Sequence, residues 1–295
     1  MADAYTSTAS VTYDQTAYDR MVYFALRPEL YFDRVASVQP TRQNMPGASV
    51  VFNLATELAP AVAPLSEVDD IDAVAMANTQ LTLTLQEYGN ALITTAKLRA
   101  TSMVEIDPIV ANLVGYNAGI SQDTLAINTI TAQATNVTVA GAPLTAEIVR
   151  RQLARLRAAN VPTIDGSYVA FVHPDVSFDF RAETTPGWRT PHENGSQDAI
   201  WNGEIGKFEG FRFIETPRAP VAAGVYTNLF LGGQAVAKAY STADGNGPNP
   251  RVVMGPVVDK LRRFVPIGWY WLGGYGVFRQ EAVRVVTTTS TIDAP

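Results

Sequence analysis

A chain of 295 residues, 47% of them hydrophobic and 17% charged, has material for one large domain or two ordinary ones and a sizeable buried core. Its charged share lies below the ~25% of ordinary soluble domains. With 28 acidic against 22 basic residues the net charge is -6, which argues against a protein whose main task is gripping nucleic-acid phosphates. There is no cysteine, which excludes disulfides, zinc–thiolate sites and thiol catalysis. Among the basic residues only Lys97, Lys207, Lys238 and Lys260 are lysines. Two readings of that stand open: a surface largely covered by neighbours, since interfaces are depleted in Lys, or a GC-rich genome favouring Arg and Ala. Met1 to Ser10 holds no basic segment followed by an apolar one, and no run of about 18 apolar residues follows. The expectation is a protein made in the cytosol, without signal peptide or membrane span.

In chain order, the first 45 residues are rich in Ala, Thr, Ser, Tyr and Asp, with short apolar pieces at Met21–Leu26 and Leu30–Val38. They read as an extended arm. Such an arm does not order itself, and a neighbouring subunit is the economical support. Residues 48–55 predict a strand with Val50, Phe52 and Leu54 on one face, and 80–88 predict another with Leu81, Leu83 and Leu85 on one face. Between them, Ala59-Pro60 to Asp72 reads as the elaborate tip of a long hairpin. A two-stranded hairpin lacks a core of its own, so these six apolar residues are candidate inter-subunit contacts. The alternative is packing onto their own domain.

Asp107-Pro108 marks a helix start. Ile109, Leu113, Tyr116, Ile120, Ile127 and Ile130 follow at helical spacing, beside a stripe of small residues at Ala111, Gly115, Gly119 and Ala126. That stripe predicts either a very close neighbour or a weak helix. Thr145 caps a second helix reaching Asn160, with Val149, Leu153 and Leu156 inward and Arg150, Arg151, Arg155 and Arg157 outward. Tyr168 to Val172 predicts a buried strand, and His173-Pro174-Asp175 the helix after it. Ile200 to Gly210 reads as a glycine-punctuated loop. Phe211–Glu215, Val225–Leu231, Gln234–Tyr240 and Val252-Val253 read as strands, and Gly273-Gly274 as the turn of a closing hairpin. Strands and helices mix without regular alternation, which predicts an α+β fold.

No catalytic constellation emerges. His173 with Asp175, or His192 with Glu193, could hold a metal, but the first reads as a turn into a helix and the second as a polar loop. No Gly-x-Ser-x-Gly elbow is present. The glycines at 203, 206 and 210, and at 273, 274 and 276, lack phosphate-loop spacing. The pairs Asp69-Asp70 and Asp179 with Glu183 have no apolar surroundings to raise a pKa. The arginines at 150–157 read as a solvated or interfacial face. Trp269, Tyr270, Trp271, Tyr275 and Phe278 read as core and sheet packing. No catalytic residue, cofactor or metal ligand is assigned.

Three segments together carry a resemblance. They are Tyr168-Val-Ala-Phe-Val-His173-Pro174-Asp175, the block Ile200-Trp-Asn-Gly203-Glu204-Ile205-Gly206-Lys207-Phe-Glu-Gly210-Phe-Arg-Phe-Ile-Glu215, and Val265-Pro-Ile-Gly268-Trp269 through Tyr275-Gly276-Val277. Gln86-Glu87-Tyr88-Gly89 fits before the long helix. In order and spacing, over nearly the whole chain, they resemble the major capsid proteins of tailed bacteriophages, the Hong Kong 97-type (HK97-like) fold. The resemblance implies an N-terminal arm at 1–47, an extended β-hairpin loop at 48–100, and a peripheral domain with a spine helix at 101–140. It further implies an axial domain with a central sheet at 141–255 and a return to the peripheral domain at 256–295. It implies a structural protein, not an enzyme, that self-assembles into hexamers and pentamers of an icosahedral shell around double-stranded DNA. The virion is its place and the bacterial host cytoplasm its site of assembly. The implied partners are other copies of itself, a separate scaffolding protein, a portal and a decoration protein, with weak nonspecific DNA contact and no membrane.

Two departures stand out. The founding member carries a long scaffolding segment ahead of its hairpin, whereas only about 50 residues precede it here, so no cleaved scaffold is expected. That member also cross-links through a lysine in its extended loop, and residues 48–95 contain none; strapping is therefore expected to be noncovalent. The alternatives are an encapsulin-like nanocompartment shell and, from another class, a monomeric α+β enzyme using His173 and Asp175.

Overall fold

The computed structural model describes residues 30–40, 49–55, 57–62, 64, 73–102, 106–182, 204–241, 247–255, 261 and 263–292. Most of the predicted arm, part of the hairpin tip, His192, Glu193 and residues 200–203 of the glycine block lie outside them. A 3-10 turn at Asp33–Val35 leads into β1 (Ser37–Pro40). The hairpin strands are β2 (Ser49–Ala55) and β3 (Asn78–Thr84), followed by β4 (Gln86–Thr95), α1 (Ala96–Thr101) and the long α2 (Ile106–Gln133). Next come β5 (Val137–Val139), α3 (Ala146–Ala158), β6 (Tyr168–Val172), α4 (Pro174–Ala182), β7 (Glu204–Phe208) and β8 (Phe211–Glu215). The chain closes with β9 (Val221–Ala222), β10 (Val225–Leu231), β11 (Val236–Tyr240), β12 (Arg251–Met254), β13 (Phe264–Val277) and β14 (Val283–Thr288).

Two larger sheets organise these elements. The first is built on β13, which pairs with β4 along Phe264–Gly273, with β12 along Ile267–Tyr270 and with β11 along Gly273–Val277. β1 adds to β11 in parallel. Successive side chains on a strand face opposite ways, so Trp269, Trp271 and Tyr275 share one face of β13. All three are buried, and the indole of Trp269 donates to Asn117 Oδ1 on α2 at 2.8 Å. The second sheet runs β5–β14–β10–β6–β8–β7. Its aromatic filling includes Phe180 of α4 stacked on Phe213 at 5.3 Å and Phe211 edge-on to Phe230 at 5.1 Å. α3 starts as expected: the Thr145 hydroxyl accepts from the Ile148 amide, and Val149, Leu153 and Leu156 are buried.

Several expectations change. Gly273-Gly274 is no turn, because β13 runs straight through it; those glycines admit other groups close to the strand, as described below. Glu204–Phe208 is a strand paired with β8, not part of a loop. Its turn falls at Glu209-Gly210, both at positive φ, which is where a glycine is needed. On α2 the buried stripe is Val110, Val114, Ala118, Ala126, Ile127 and Ile130. Ile109, Leu113, Tyr116 and Ile120 are only partly covered or exposed. Of the small residues, Gly119 does admit a close neighbour, Leu30, whose Cδ1 a Cβ there would meet at 2.7 Å, while Gly115 faces open space. The sheets also divide the chain differently from the expected boundaries. β11 and β12 join the sheet of the long helix, and β14 joins the other.

Segment 30–36 binds the two sheets together. Phe32 is buried, packs on Phe171 of β6 at 4.5 Å between ring centres, and its amide donates to Asp123 Oδ1 of α2 at 2.8 Å. Asp123 is itself fully buried and paired with Arg218 at 2.8 Å. Asp33 accepts from Lys238 Nζ of β11 at 2.6 Å and from the Tyr275 hydroxyl of β13. The Lys238 ammonium, almost wholly buried, also lies over the rings of Trp271 and Tyr275.

Burial, and then the Asp33 carboxylate, hold the Tyr275 phenol well above its ordinary range. The unfolded chain loses that proton near pH 10 while the native one keeps it, so stability falls as pH rises further, by up to about 1.4 kcal/mol per pH unit. Burial lowers the pKa of Lys238, against the opposing pull of Asp33. Its effect therefore has the other sign, and it ends once the unfolded lysine loses its proton at about pH 10.4. Above that, Tyr275→Phe should flatten the alkaline loss of stability, measured by denaturant unfolding of unassembled subunits. Parallel pH slopes for the two proteins would contradict the buried-phenol account.

Candidate assembly interface

The hairpin is where the sequence placed its candidate contacts. β2 and β3 pair antiparallel from Ser49↔Thr84 to Ala55↔Asn78, with Val50 opposite Leu83 and Phe52 opposite Leu81. At its root the hairpin crosses the face of β13 opposite Trp271. The floor there is made of small residues: Ala237 pairs with Gly276 and Ala239 with Gly274. A Cβ on Gly274 would lie 2.6 Å from the Thr84 carbonyl oxygen, and one on Gly276 would fall inside a Leu83 methyl.

Contrary to the expectation that the apolar row docks on an adjacent subunit, Phe52 and Leu83 are 6% and 4% exposed within this chain. They rest on Ala237 and Ala239, and Phe52 meets Phe278 edge-on at 5.7 Å. Val50, Leu81 and Leu85 pack around them, and they and Leu54 are half-buried. The physical reason is the floor: side chains this small leave a hollow that Phe52 and Leu83 fill.

Beyond the root the picture reverses. Leu58, Val62, Val74 and Met76, in the tip, are 65%, 88%, 76% and 77% exposed. Sequence patterning missed them because they follow neither period; the Pro-rich composition gave the only cue. From residue 44 to 96 the chain has no Lys or Arg and six acidic residues, among them the exposed Glu57. Two further apolar surfaces lie on the body. One is a groove of about 330 Å³ between β4 and α2, lined by Leu92, Leu113, Tyr116, Ile120 and Trp269 among others. The other is β12, with Val252, Val253 and Met254 exposed.

The residues weighed for chemistry take structural parts. His173 Nδ1 accepts from the Asp175 amide at 3.3 Å, its carbonyl accepts from Ser177, and Asp175 accepts from the Tyr226 hydroxyl at 2.7 Å. That is the turn into α4. Asp179 accepts from the Thr291 amide and the Ser290 hydroxyl, both at 2.8 Å, fastening the end of the chain. No group of three potential metal ligands occurs among the described residues. On α3, Arg150 pairs with Glu209 at 3.2 Å and Arg151 with Glu147 at 2.7 Å.

Replacing both Phe52 and Leu83 with Asp should release the hairpin root from its floor while both larger sheets stay folded. Burial of each side chain contributes roughly 1.5–3 kcal/mol, so amide exchange over 49–55 and 78–84 should accelerate about a hundredfold or more. Unchanged protection there would mean that the floor does not hold the root.

Residues 110–292 match the profile of a family described as phage capsid protein. No curated protein matches the sequence. Among solved structures, the chain is similar to the capsid of Ralstonia phage GP4, at 14% identity and TM-score 0.75, over 98% of this chain and 100% of that one. It is similar to the capsid asymmetric unit of cyanophage Pam1, at 14% identity and TM-score 0.74, over 99% and 100%. A structure from Mycobacterium phage Che8 follows at 16% identity and TM-score 0.68, over 93% and 97%.

Proposed function

This chain belongs to the phage capsid protein family, and from that premise we propose that it is the repeating subunit of an icosahedral shell, joined as hexamers and pentamers around packaged double-stranded DNA. Its work is structural, as a major capsid protein of the virion. The observation that carries the proposal is the hairpin: its root is buried on its own body, while four large apolar side chains at its tip stand in solvent. A tip of that kind is an aggregation hazard on a free monomer and an asset on a subunit that straps its neighbours. Closed symmetry then ends growth.

The proposed division of labour follows the sequence in outline: residues 1–29 as an arm laid on an adjacent subunit, its base at 30–40 held instead on its own body, 48–100 as the extended loop, and 101–140 with 256–295 as peripheral domain around the axial 141–255, with β11 and β12 reaching into the sheet of the long helix and β14 into the other. A separate scaffolding protein directs assembly in the host cytoplasm, and a portal and a decoration protein complete the particle. The half-buried Val50, Leu54, Leu81 and Leu85, still partly open beside the buried Phe52 and Leu83, form the inner end of the strap. Because the family and the similar structures are phage capsids, the encapsulin alternative is not carried forward.

The test is assembly. Electron microscopy of the protein made with its scaffold should show closed shells whose reconstruction traces residues 1–29 onto a neighbour. Val62→Asp with Met76→Asp should alter subunit stability by no more than ~0.5 kcal/mol each, the usual size for exposed sites, yet abolish closed shells. Only subunit-sized material from the wild-type protein under those conditions would end this reading.

DNA contact is weak and without sequence preference, because packaged DNA must slide during filling and leave during ejection. The net charge of -6 and the partnered arginines of α3 support this. Titration of shell subunits with duplex DNA should give a shallow dependence on salt. A tight affinity with a steep salt slope would count many phosphate contacts and contradict it.

A further inference from the structure

The chain turns out of one sheet and onto its face at a single place. β4 follows β13 until Gln86 pairs with Gly273. Two residues earlier, past Leu85, the backbone at Thr84 already belongs to the hairpin. There it no longer runs beside β13 but over it. How closely it can lie is decided by what β13 and β11 present on that face, and they present Gly274, Gly276, Ala237 and Ala239. At Gly274 the limit is backbone against backbone: a Cβ would come 2.6 Å from the Thr84 carbonyl oxygen, a contact that no rotamer change relieves. At Gly276 the limit is the side chain of Leu83, which sits in the space a Cβ would take. Phe52, held by Phe278, fixes the second strand against the same floor.

We propose that this floor, Gly274 and Gly276 above all, is a positioning element for assembly: it sets the angle at which the hairpin leaves the body, and through it the angle between joined subunits and the diameter of the shell. The proposal rests on the reading of the chain as a shell subunit. A lever argument gives its force. The hairpin reaches at least from Thr84 to Asn78, and at about 3.3 Å per residue even these seven residues carry a tilt at the root some 20 Å outward. A tilt of a few degrees there, repeated at every copy, alters the curvature at which a shell closes. The body behind the floor has no such latitude, because the opposite face of β13 is locked by Trp271, Tyr275 and the buried Lys238, which Asp33 pairs.

The experiment compares wild type, Gly274→Ala, Gly276→Ala, and Gly276→Ala combined with Leu83→Ala, with Gly115→Ala as control, since nothing lies within 4 Å of a Cβ at Gly115. Each is assembled with scaffold and measured by electron microscopy, while circular dichroism follows subunit folding. Gly274→Ala and Gly276→Ala should fold and give shells of shifted diameter or open sheets. The Leu83→Ala partner should return the Gly276→Ala particles toward wild-type size, and Gly115→Ala should leave size unchanged. Should Gly274→Ala fail to fold, Gly276→Ala and its partner variant decide, because the Leu83 methyl can yield where a carbonyl cannot. Folded glycine variants that close at wild-type diameter overturn the proposal, and so does loss of folding in both, which would make the floor ordinary core. Failure of wild type itself to form shells overturns the shell reading instead.

Discussion

Two carboxylates hold this structure together at the base of the arm, Asp123 buried and Asp33 half-buried against the buried ammonium of Lys238. Asp33 meets Lys238 and Tyr275 on one sheet, and Asp123 meets Arg218 and the amide of Phe32 beside the other. A buried charge is tolerable only when paired, and removing one partner typically costs several kcal/mol. Each carboxylate here draws its partners from segments far apart in sequence. The short piece 30–36 is thereby fixed against α2, β11, β13 and β6 at once, with Phe32 stacked on Phe171 as its apolar counterpart. Without that wedge, α2 and the two sheets would lose the contact that holds all of them in common.

Given a rigid body, the hairpin can serve as a lever. Its root has the hydrophobic cover a two-stranded ribbon cannot make alone, supplied by a floor of glycine and alanine. Its tip has none among the described residues. Folding thus goes to completion at one end of the hairpin and is left unfinished at the other, the surface that the proposed strap would lay on a second copy. Each apolar side chain covered there adds at most about 1.5–3 kcal/mol, but a closed shell repeats the gain at every copy.

The charge pattern serves the same end. Arginines that could have reached for phosphates have acidic partners on their own chain, as Arg150 has Glu209 and Arg151 has Glu147. Exposed pairs of this kind contribute little stability; their effect is that these two guanidinium groups already have carboxylate partners. The hairpin has no basic residue from 44 to 96, and its acidic residues gather between its strands, at 57 to 72.

Elements whose signal is local were legible in the sequence: the caps and periodicity of α3, the five-residue buried strand at Tyr168, the alternating rows of β2 and β3, and the long α2. So was the family, because the order of short motifs survives where no single motif is diagnostic. What tertiary structure alone decided was where each apolar row lies. Alternation says that Phe52 and Leu83 share a face, but whether that face meets the chain's own body or another's depends on Gly274 and Gly276, nearly two hundred residues away. The pair Gly273-Gly274 misled the reading of β13, since a glycine pair signals a turn unless something must approach the strand closely. And no pattern joins Asp33 to Lys238 or Asp123 to Arg218, because the interior's demand that a buried charge find a partner acts through space and leaves no period along the chain.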